Sequence, residues 1–338
     1  MEWDKKWSRE FMQRNKIPSP KFKYFNSEKL AKDYIKLLYD KEPEKLIYIK
    51  ATKLCGGKGA LKSKSLDESI RNIGKMKVFG EAGKIFLVEE GLEGEEFSYY
   101  AISDGSNYRI FKSAQDNKTI SNFDKGDQTG RMGAISPAII TNHLSKEIEN
   151  QLIAKAINGM KKEHIPYIGI LYLGGVVVND KPINIEYNAR WGDPECQVVL
   201  PTIKTDYVEI VTSCLKGKLN EIEIEQDNKS RVCVVGASRG YPNDYSHAKR
   251  KQIHGLENAM KINGVTIFGA DITIQDEKFY TDGGRLFSVV AEGENIVEAK
   301  QKAYSAIAGI NVEGNNLQYR TDIGWRDIER FLRNKKHL

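Results

Sequence analysis

Apolar and polar positions along this chain follow two periods, and the switches between them mark the elements. Residues 5–14 read as a helix, which the run Asn15-Lys16-Ile17-Pro18-Ser19-Pro20 stops with two prolines. A second helix is expected over 27–40, where Leu30, Tyr34 and Leu37 or Leu38 recur at helical spacing and Ser27 can cap the first turn. Residues 46–51, LIYIKA, read as a buried strand. A glycine-rich loop follows, then a helix over 66–76 and a strand over 85–89. Asp104-Gly105 turns a strand at 96–103 back into 107–113. Residues 121–133 show no period and read as a loop. A long amphipathic helix covers 145–163, with Ile148, Leu152, Ala156 and Met160 on one face. A hairpin then pairs 168–178 with 183–190 through Asn179-Asp180. From about residue 231 short strands and glycine turns dominate, so a domain boundary is expected there.

The chain has 338 residues, enough for about two domains of ordinary size. Hydrophobic residues at 40% and charged residues at 29% fit a globular protein. Long apolar stretches such as 168–178 contain glycines and fall short of the roughly 20 residues a membrane span needs. The opening MEWDKKWSRE lacks the apolar core of a signal peptide, so a cytoplasmic location without a membrane partner is expected. The net charge of +6 is modest, and the basic runs Lys249-Arg250-Lys251 and Lys335-Lys336 have no aromatic residues interleaved. Nucleic acid is therefore not an expected partner, whereas a small anionic ligand fits. Cys55, Cys196, Cys214 and Cys233 form no CxxC pair and the five histidines are scattered, so reduced thiols and no zinc site are expected.

Strand 183–190 carries the most chemistry. Alternation puts Ile183, Ile185 and Tyr187 on one face and Asn184, Glu186, Asn188 and Arg190 on the other. Such a polar face is costly to bury without a ligand; the plain alternative is a solvated sheet surface. Glu186 and Asn188 offer hard oxygens suited to Mg²⁺ or Mn²⁺, and Arg190 can hold a phosphate or carboxylate. Asp193 and Glu195 follow in the turn Trp191-Gly192-Asp193-Pro194-Glu195. The loop Gly56-Gly57-Lys58-Gly59 follows a strand, as a phosphate cradle does, although it lacks the GxxxxGK[ST] spacing. Lys50 points a second cation toward the same region. The acidic segment containing Glu89, Glu90 and Glu96 reads as a hinge whose carboxylates take ribose hydroxyls, or as a solvated loop.

The order of these segments resembles the ATP-grasp ligases. The runs Ala114-Gln115-Asp116-Asn117-Lys118, Thr129-Gly130-Arg131-Met132-Gly133-Ala134 and IEYNARWGDPECQVVLP at 185–201 are similar to the glycinamide ribonucleotide synthetase (phosphoribosylamine–glycine ligase) family. So are Ile253-His254-Gly255-Leu256, Thr281-Asp282-Gly283-Gly284-Arg285 and Asp322-Ile323-Gly324-Trp325-Arg326. The resemblance implies an α/β (α+β) fold: an ATP-grasp main lobe at 1–44 and 114–230, a lid at 45–113, and a mixed β-rich C-terminal domain at 231–338. It implies that a carboxylate takes the γ-phosphate of ATP to form an acyl phosphate, from which an amine then displaces phosphate. In that scheme Glu186 and Asn188 hold Mg²⁺, and Lys50, Lys58 and Lys118 screen phosphates. Arg190 stabilises the transferring phosphoryl group or orients the carboxylate. Asp193, Pro194 and Glu195 match the family's glycine region, and the polar loop with Asp124, Thr129 and Arg131 matches the region of the amine. Residues 168–178 contain no Asp or Glu, which leaves the number of metals open.

The chain also departs from the family's pattern. The family normally begins with a further domain that contributes to the amine site, so a separately encoded N-terminal domain is an expected partner. The family's KADGLAAGKG is here KATKLCGGKG, and its DTGPNTGGMG is here DKGDQTGRMG, where Arg131 replaces a glycine. An amide ligase with a different carboxylate and amine, or a non-catalytic ATP-binding subunit, are the alternatives.

Overall fold

The computed structural model describes residues 1–53, 55 and 59–335. It divides into two compact units, Met1–Glu96 with His143–Arg190, and Phe97–Asn142 with Trp191–Leu338.

The first unit opens with helix α1 (Lys5–Arg14), capped by the Asp4 side chain, which accepts from the Trp7 amide at 3.0 Å. Next come β1 (Phe22–Phe25), α2 (Glu28–Lys41), β2 (Ile47–Ala51), β3 (Ala60–Ser63), α3 (Leu66–Lys75) and β4 (Phe86–Glu90). The four strands form an antiparallel sheet in the order β1-β4-β2-β3. Strand alternation buries Ile47, Ile49 and Ala51 of β2 against Phe86 and Val88 of β4, Ala31, Ile35 and Tyr39 of α2, and Ile73 of α3. The same alternation turns Tyr48, Lys50, Leu87 and Glu89 to the other face.

Helix α2 lies where expected, with Ser27 as its cap, but its buried stripe is one residue on. Leu30 and Leu37 are 60% and 62% exposed, Tyr34 and Leu38 are half-buried against the core, and Ala31, Ile35 and Tyr39 are buried. Two apolar stripes compete on this helix, and the small Ala31 lets the second approach the sheet more closely.

The long helix of this unit has α-helical ends, Ser145–Glu147 and Lys155–Lys162, around a π-helical stretch, Ile148–Ala154. It buries Ile148, Leu152, Ala156 and Met160 as the period requires. Strands Ile168–Val178 and Lys181–Asn188 form the expected hairpin, with Asn179 and Asp180 at φ 49° and 61° in its turn. The Tyr187 hydroxyl donates to the Leu152 carbonyl at 2.5 Å, tying hairpin to helix.

In the second unit, Ser230–Ser238 lies mid-sheet between Gly133–Ser136 on one side and Arg285–Gly293 on the other; Gln115–Asp116 and Val265–Gly269 lie outside these. Helix Ile296–Ala308 covers this sheet, burying Ala299, Ala303 and Ile307 among Val232, Val234, Phe287 and Val289. Residues 121–133, expected as a loop, include part of a small ladder, Thr119–Ser121 with Lys125–Gln128. The turn between its strands takes Phe123 and Asp124 to φ 55° and 57°. It is fixed from afar: the Phe123 amide donates to Asp322 at 2.7 Å, and Arg320 and Arg326 hold Asp124. Such anchors leave no periodic signal. Among the described residues no helix is long and apolar enough to cross a membrane.

Candidate functional site

Glu186 and Asn188 do share a face, with the Asn188 Nδ2 3.5 Å from Glu186 Oε1. Asn184 does not share it. Gly174 pairs with Glu186 and Gly175 with Asn184, so Ile185 is the extra residue of a β-bulge. Across it the alternation resets: Asn184 is fully buried, while Glu186 is exposed. Opposite, a Cβ on Gly174 would lie 3.3 Å from Glu186 Cγ, so the glycine lets that side chain lie close over the strand. One carboxylate and one amide oxygen suit a hard cation that keeps its other positions for phosphate and water. Among the described residues no group of three or more His, Cys, Asp or Glu side chains could hold a metal on its own.

Arg190, just past the strand, is exposed and held by Glu2. The Glu2 carboxylate accepts from Arg190 Nε at 3.0 Å and from the Ala189 amide at 2.9 Å.

On the sheet of the same unit, Glu89 is a buried anion between two cations. Arg9 Nε and Nη2 each lie 2.6 Å from its Oε2, and Lys50 Nζ is paired with its Oε1. Burial alone would raise the Glu89 carboxyl, but the Arg9 and Lys50 charges and hydrogen bonds outweigh it and hold it below the usual carboxylate range. Glu90 is half-buried, 3.6 Å from Lys45, and Glu96 is exposed. Gly56, Gly57 and Lys58 lie outside the described residues. Gly59 is packed so closely that a Cβ there would come 2.8 Å from that of Cys55.

The remaining candidates belong to the second unit. The turn after Arg190 is anchored by Trp191, whose ring packs 5.0 Å from Tyr100 and 5.1 Å from Phe111, with Nε1 donating to Tyr207 at 3.1 Å. A Cβ on Gly192 would meet the Tyr100 hydroxyl at 2.4 Å and the Glu195 carboxyl at 2.7 Å, so any larger residue would have to displace one of these side chains. Glu195 is fully buried, 3.6 Å from Arg131 Nε, which also binds Asp116. Arg131 is held at φ 80°, where an L residue is strained. Burial first, then the Glu195 charge, push Asp116 up to about 7 against the pull of Arg131. Thr129 donates from its amide and hydroxyl to the Lys118 carbonyl, both at 2.8 Å. Asp193, which precedes the cis Pro194, pairs with Arg285, whose guanidinium also binds the Gly130 carbonyl. Cys196 is no nucleophile: burial, then Asp193 and Glu195, raise its thiol to about 11.

Lys50, Gly59, Glu89, Glu90, Glu96, Glu186, Asn188 and Arg190 thus belong to the first unit, and Lys118, Asp124, Thr129, Arg131, Asp193, Pro194 and Glu195 to the second. Sequence reasoning assigned no role to Glu2, Arg9, Asp116, Arg285 or Arg320. Arg9 left a signal, a charge among the residues α1 buries; Asp116 and Arg285 stand in the recognisable motifs, and Glu2 and Arg320 left none.

Comparison with known proteins agrees over most of the chain. The profile described as phosphoribosylglycinamide synthetase, ATP-grasp (A) domain, matches residues 3–196, and that of the C domain of the same synthetase matches 231–326. The trifunctional purine biosynthetic protein adenosine-3 of Bos taurus is 38% identical across 100% of this chain. The chain spans only 33% of that protein's length. A phosphoribosylamine–glycine ligase of Caldanaerobacter subterraneus is 37% identical, covering 96% of this chain and 76% of the relative. The crystal structure of phosphoribosylamine–glycine ligase from Thermotoga maritima superposes with a TM-score of 0.80 at 32% identity, covering 95% of this chain and 78% of that one. The biotin carboxylase domain of the Hydrogenobacter thermophilus 2-oxoglutarate carboxylase shares the fold alone, with a TM-score of 0.69 at 16% identity over 94% of this chain and 67% of its own.

Proposed function

Because the chain belongs to the phosphoribosylglycinamide synthetase family, we propose that it is an ATP-dependent carbon–nitrogen ligase joining glycine to phosphoribosylamine. The products are glycinamide ribonucleotide, ADP and phosphate, a step of purine biosynthesis. The observation that carries this reading is the Glu186–Asn188 pair, two hard-oxygen side chains on one strand face, in the same unit as Lys50 and Arg190.

In this reading a glycine carboxylate oxygen attacks the γ-phosphorus of ATP, ADP leaves, and an acyl phosphate remains. The amine nitrogen of phosphoribosylamine then attacks the acyl carbon, phosphate leaves with the bonding pair, and the nitrogen loses a proton. Glu186 and Asn188 would hold Mg²⁺ or Mn²⁺, which when bound neutralises charge on the β- and γ-phosphates. Lys50, Lys58 and Lys118 screen phosphate oxygens, with the glycines at 56, 57 and 59 letting backbone approach. Glu90 and Glu96 take ribose hydroxyls, and Glu89 stands behind Lys50. Arg190 stabilises the transferring phosphoryl group, a role that needs electrostatics and no protein nucleophile. Asp193, Pro194 and Glu195 border glycine, and Asp124, Thr129 and Arg131 border the amine, with residues 45–113 as a lid.

The test is ADP release by the purified chain with glycine and freshly generated phosphoribosylamine, together and singly. Release that requires both supports the proposal; release indifferent to either overturns it. One observation favours a second reading, an amide ligase for a different amine. Arg131 brings a guanidinium beside Asp116 and Glu195 at a strained φ of 80°. A panel of amines, read by the same ADP release, separates the two readings.

A further inference from the structure

Two cations and one anion meet on the sheet face that Lys50 shares with Glu89, and all three are nearly withdrawn from water. The side chains of Arg9, Glu89 and Lys50 are 4%, 2% and 11% exposed. Each oxygen of Glu89 has its own cation: both donors of Arg9 converge on Oε2, and Lys50 takes Oε1. The cluster therefore carries one positive charge in excess of its own pairing.

This poses a problem for a lysine that is to bind phosphate. A lysine that is the sole counter-ion of a buried carboxylate cannot leave it without stranding that charge, which burial makes very unfavourable. Arg9 removes the difficulty. Its guanidinium fork is anchored on the buried side of α1, with Nη1 3.6 Å from the Met12 sulfur, and cannot follow a ligand outward. Lys50 is a compact ammonium on a flexible stem, beside the Tyr48 ring at 5.2 Å. The fixed cation can keep the carboxylate while the mobile one moves.

We infer that Arg9 is a positioning residue for nucleotide binding: it retains the charge of Glu89 so that Lys50 can pass from that carboxylate to a phosphate. The inference rests on the nucleotide site proposed above. A triad that only riveted α1 to the sheet would affect stability alone, whereas this one couples Arg9 to the phosphates of the ligand and leaves the nucleoside untouched.

The test is calorimetric titration of the full chain with ADP and with adenosine. Binding of ADP by the wild type is the first requirement, and its absence overturns the nucleotide site and this inference together. With that met, Arg9→Met is expected to weaken ADP by about tenfold or more while adenosine changes by less than about twofold. Arg9→Lys, which keeps a cation, should recover most of the loss. In the double variant Arg9→Met with Glu89→Gln, no carboxylate competes for Lys50, so ADP affinity should return to within about threefold of wild type. That variant removes the buried anion, leaves Lys50, the least buried of the three at 11% exposed, as the one charge without its partner, and keeps the question open to measurement even if Arg9→Met alone does not fold. Adding Lys50→Met to it should remove the affinity again. With ADP binding in the wild type secure, ADP affinity unmoved by Arg9→Met, a parallel loss of adenosine, or a double variant about tenfold weaker than wild type overturns the inference alone.

Discussion

Asp116 and Glu195 draw on one guanidinium, that of Arg131, which binds Asp116 and stands 3.6 Å from Glu195. Burial, then the charge of Glu195, push Asp116 up to about 7, because one arginine between two withdrawn carboxylates does not offset both effects. Its folded value lies above the ordinary one, so between about pH 4 and pH 7 the folded state binds more protons than the unfolded. Stability from this group is then present at the acid end and lost as pH rises through 7. We predict that the urea midpoint of the wild type falls between about pH 5 and about pH 8 by more than that of Asp116→Asn, a difference of order 1–3 kcal/mol. Parallel midpoints for the two proteins would show that Asp116 is not the group responsible.

Glu186→Gln separates chemistry from folding. The side chain is exposed beyond the bulge, so its loss should leave the melting temperature within the range of ordinary surface substitutions. Removing one anionic cation ligand should lower kcat more than tenfold, about 1.4 kcal/mol of barrier. A variant that melts like wild type and keeps more than about a tenth of kcat would remove Glu186 from the site.

Arg190 and Glu2 differ in what they contribute. Their exposed pair is worth less than about 1 kcal/mol, so neither substitution should unfold the protein. Arg190→Ala is expected to reduce kcat by about a hundredfold, the scale of one lost transition-state donor. Glu2→Ala should leave kcat within about threefold. Equal losses in steady-state kinetics would mean that the pair acts as one element.

Arg320 is 1% exposed and ties Asp322, at 2.8 and 2.6 Å, to Thr119 and Asp124. Arg320→Met strands Asp322 and frees the turn at 122–124, so we predict a loss of about 3–5 kcal/mol in urea unfolding. Arg320→Lys, lacking the planar fork, should recover only part of it. A loss below about 1 kcal/mol would show the network to be dispensable.

Local signals were legible wherever neighbours in the chain determine the outcome. Helix α1, the stripe Ile148-Leu152-Ala156-Met160 and the Asn179-Asp180 turn all lie where period and turn chemistry place them. Tertiary choices were not legible. Leu30 and Ala31 offer rival stripes, and only the facing sheet decides between them. The pairing of Arg9 with Glu89 joins positions 80 residues apart, and that of Arg320 with Asp124 joins positions 196 apart. The shared face of Glu186 and Asn188 is readable from spacing because both lie on one side of the bulge. Asn184 was misread because it lies on the other.

That bulge makes strand Lys181–Asn188 two half-strands in opposite phase. Before Ile185, even-numbered side chains such as Pro182 and Asn184 turn inward; after it, odd-numbered Tyr187 does. A single spare residue thus lets the half that carries Asn184 and the half that carries Glu186 be inherited under separate constraints on one continuous strand. Deleting Ile185 would make Asn184 and Glu186 neighbours opposite Gly175 and Gly174, an unbroken ladder that keeps Glu186 outward and Tyr187 inward; flattening the bulge with Ile185 retained in the ladder would instead exchange the two surfaces.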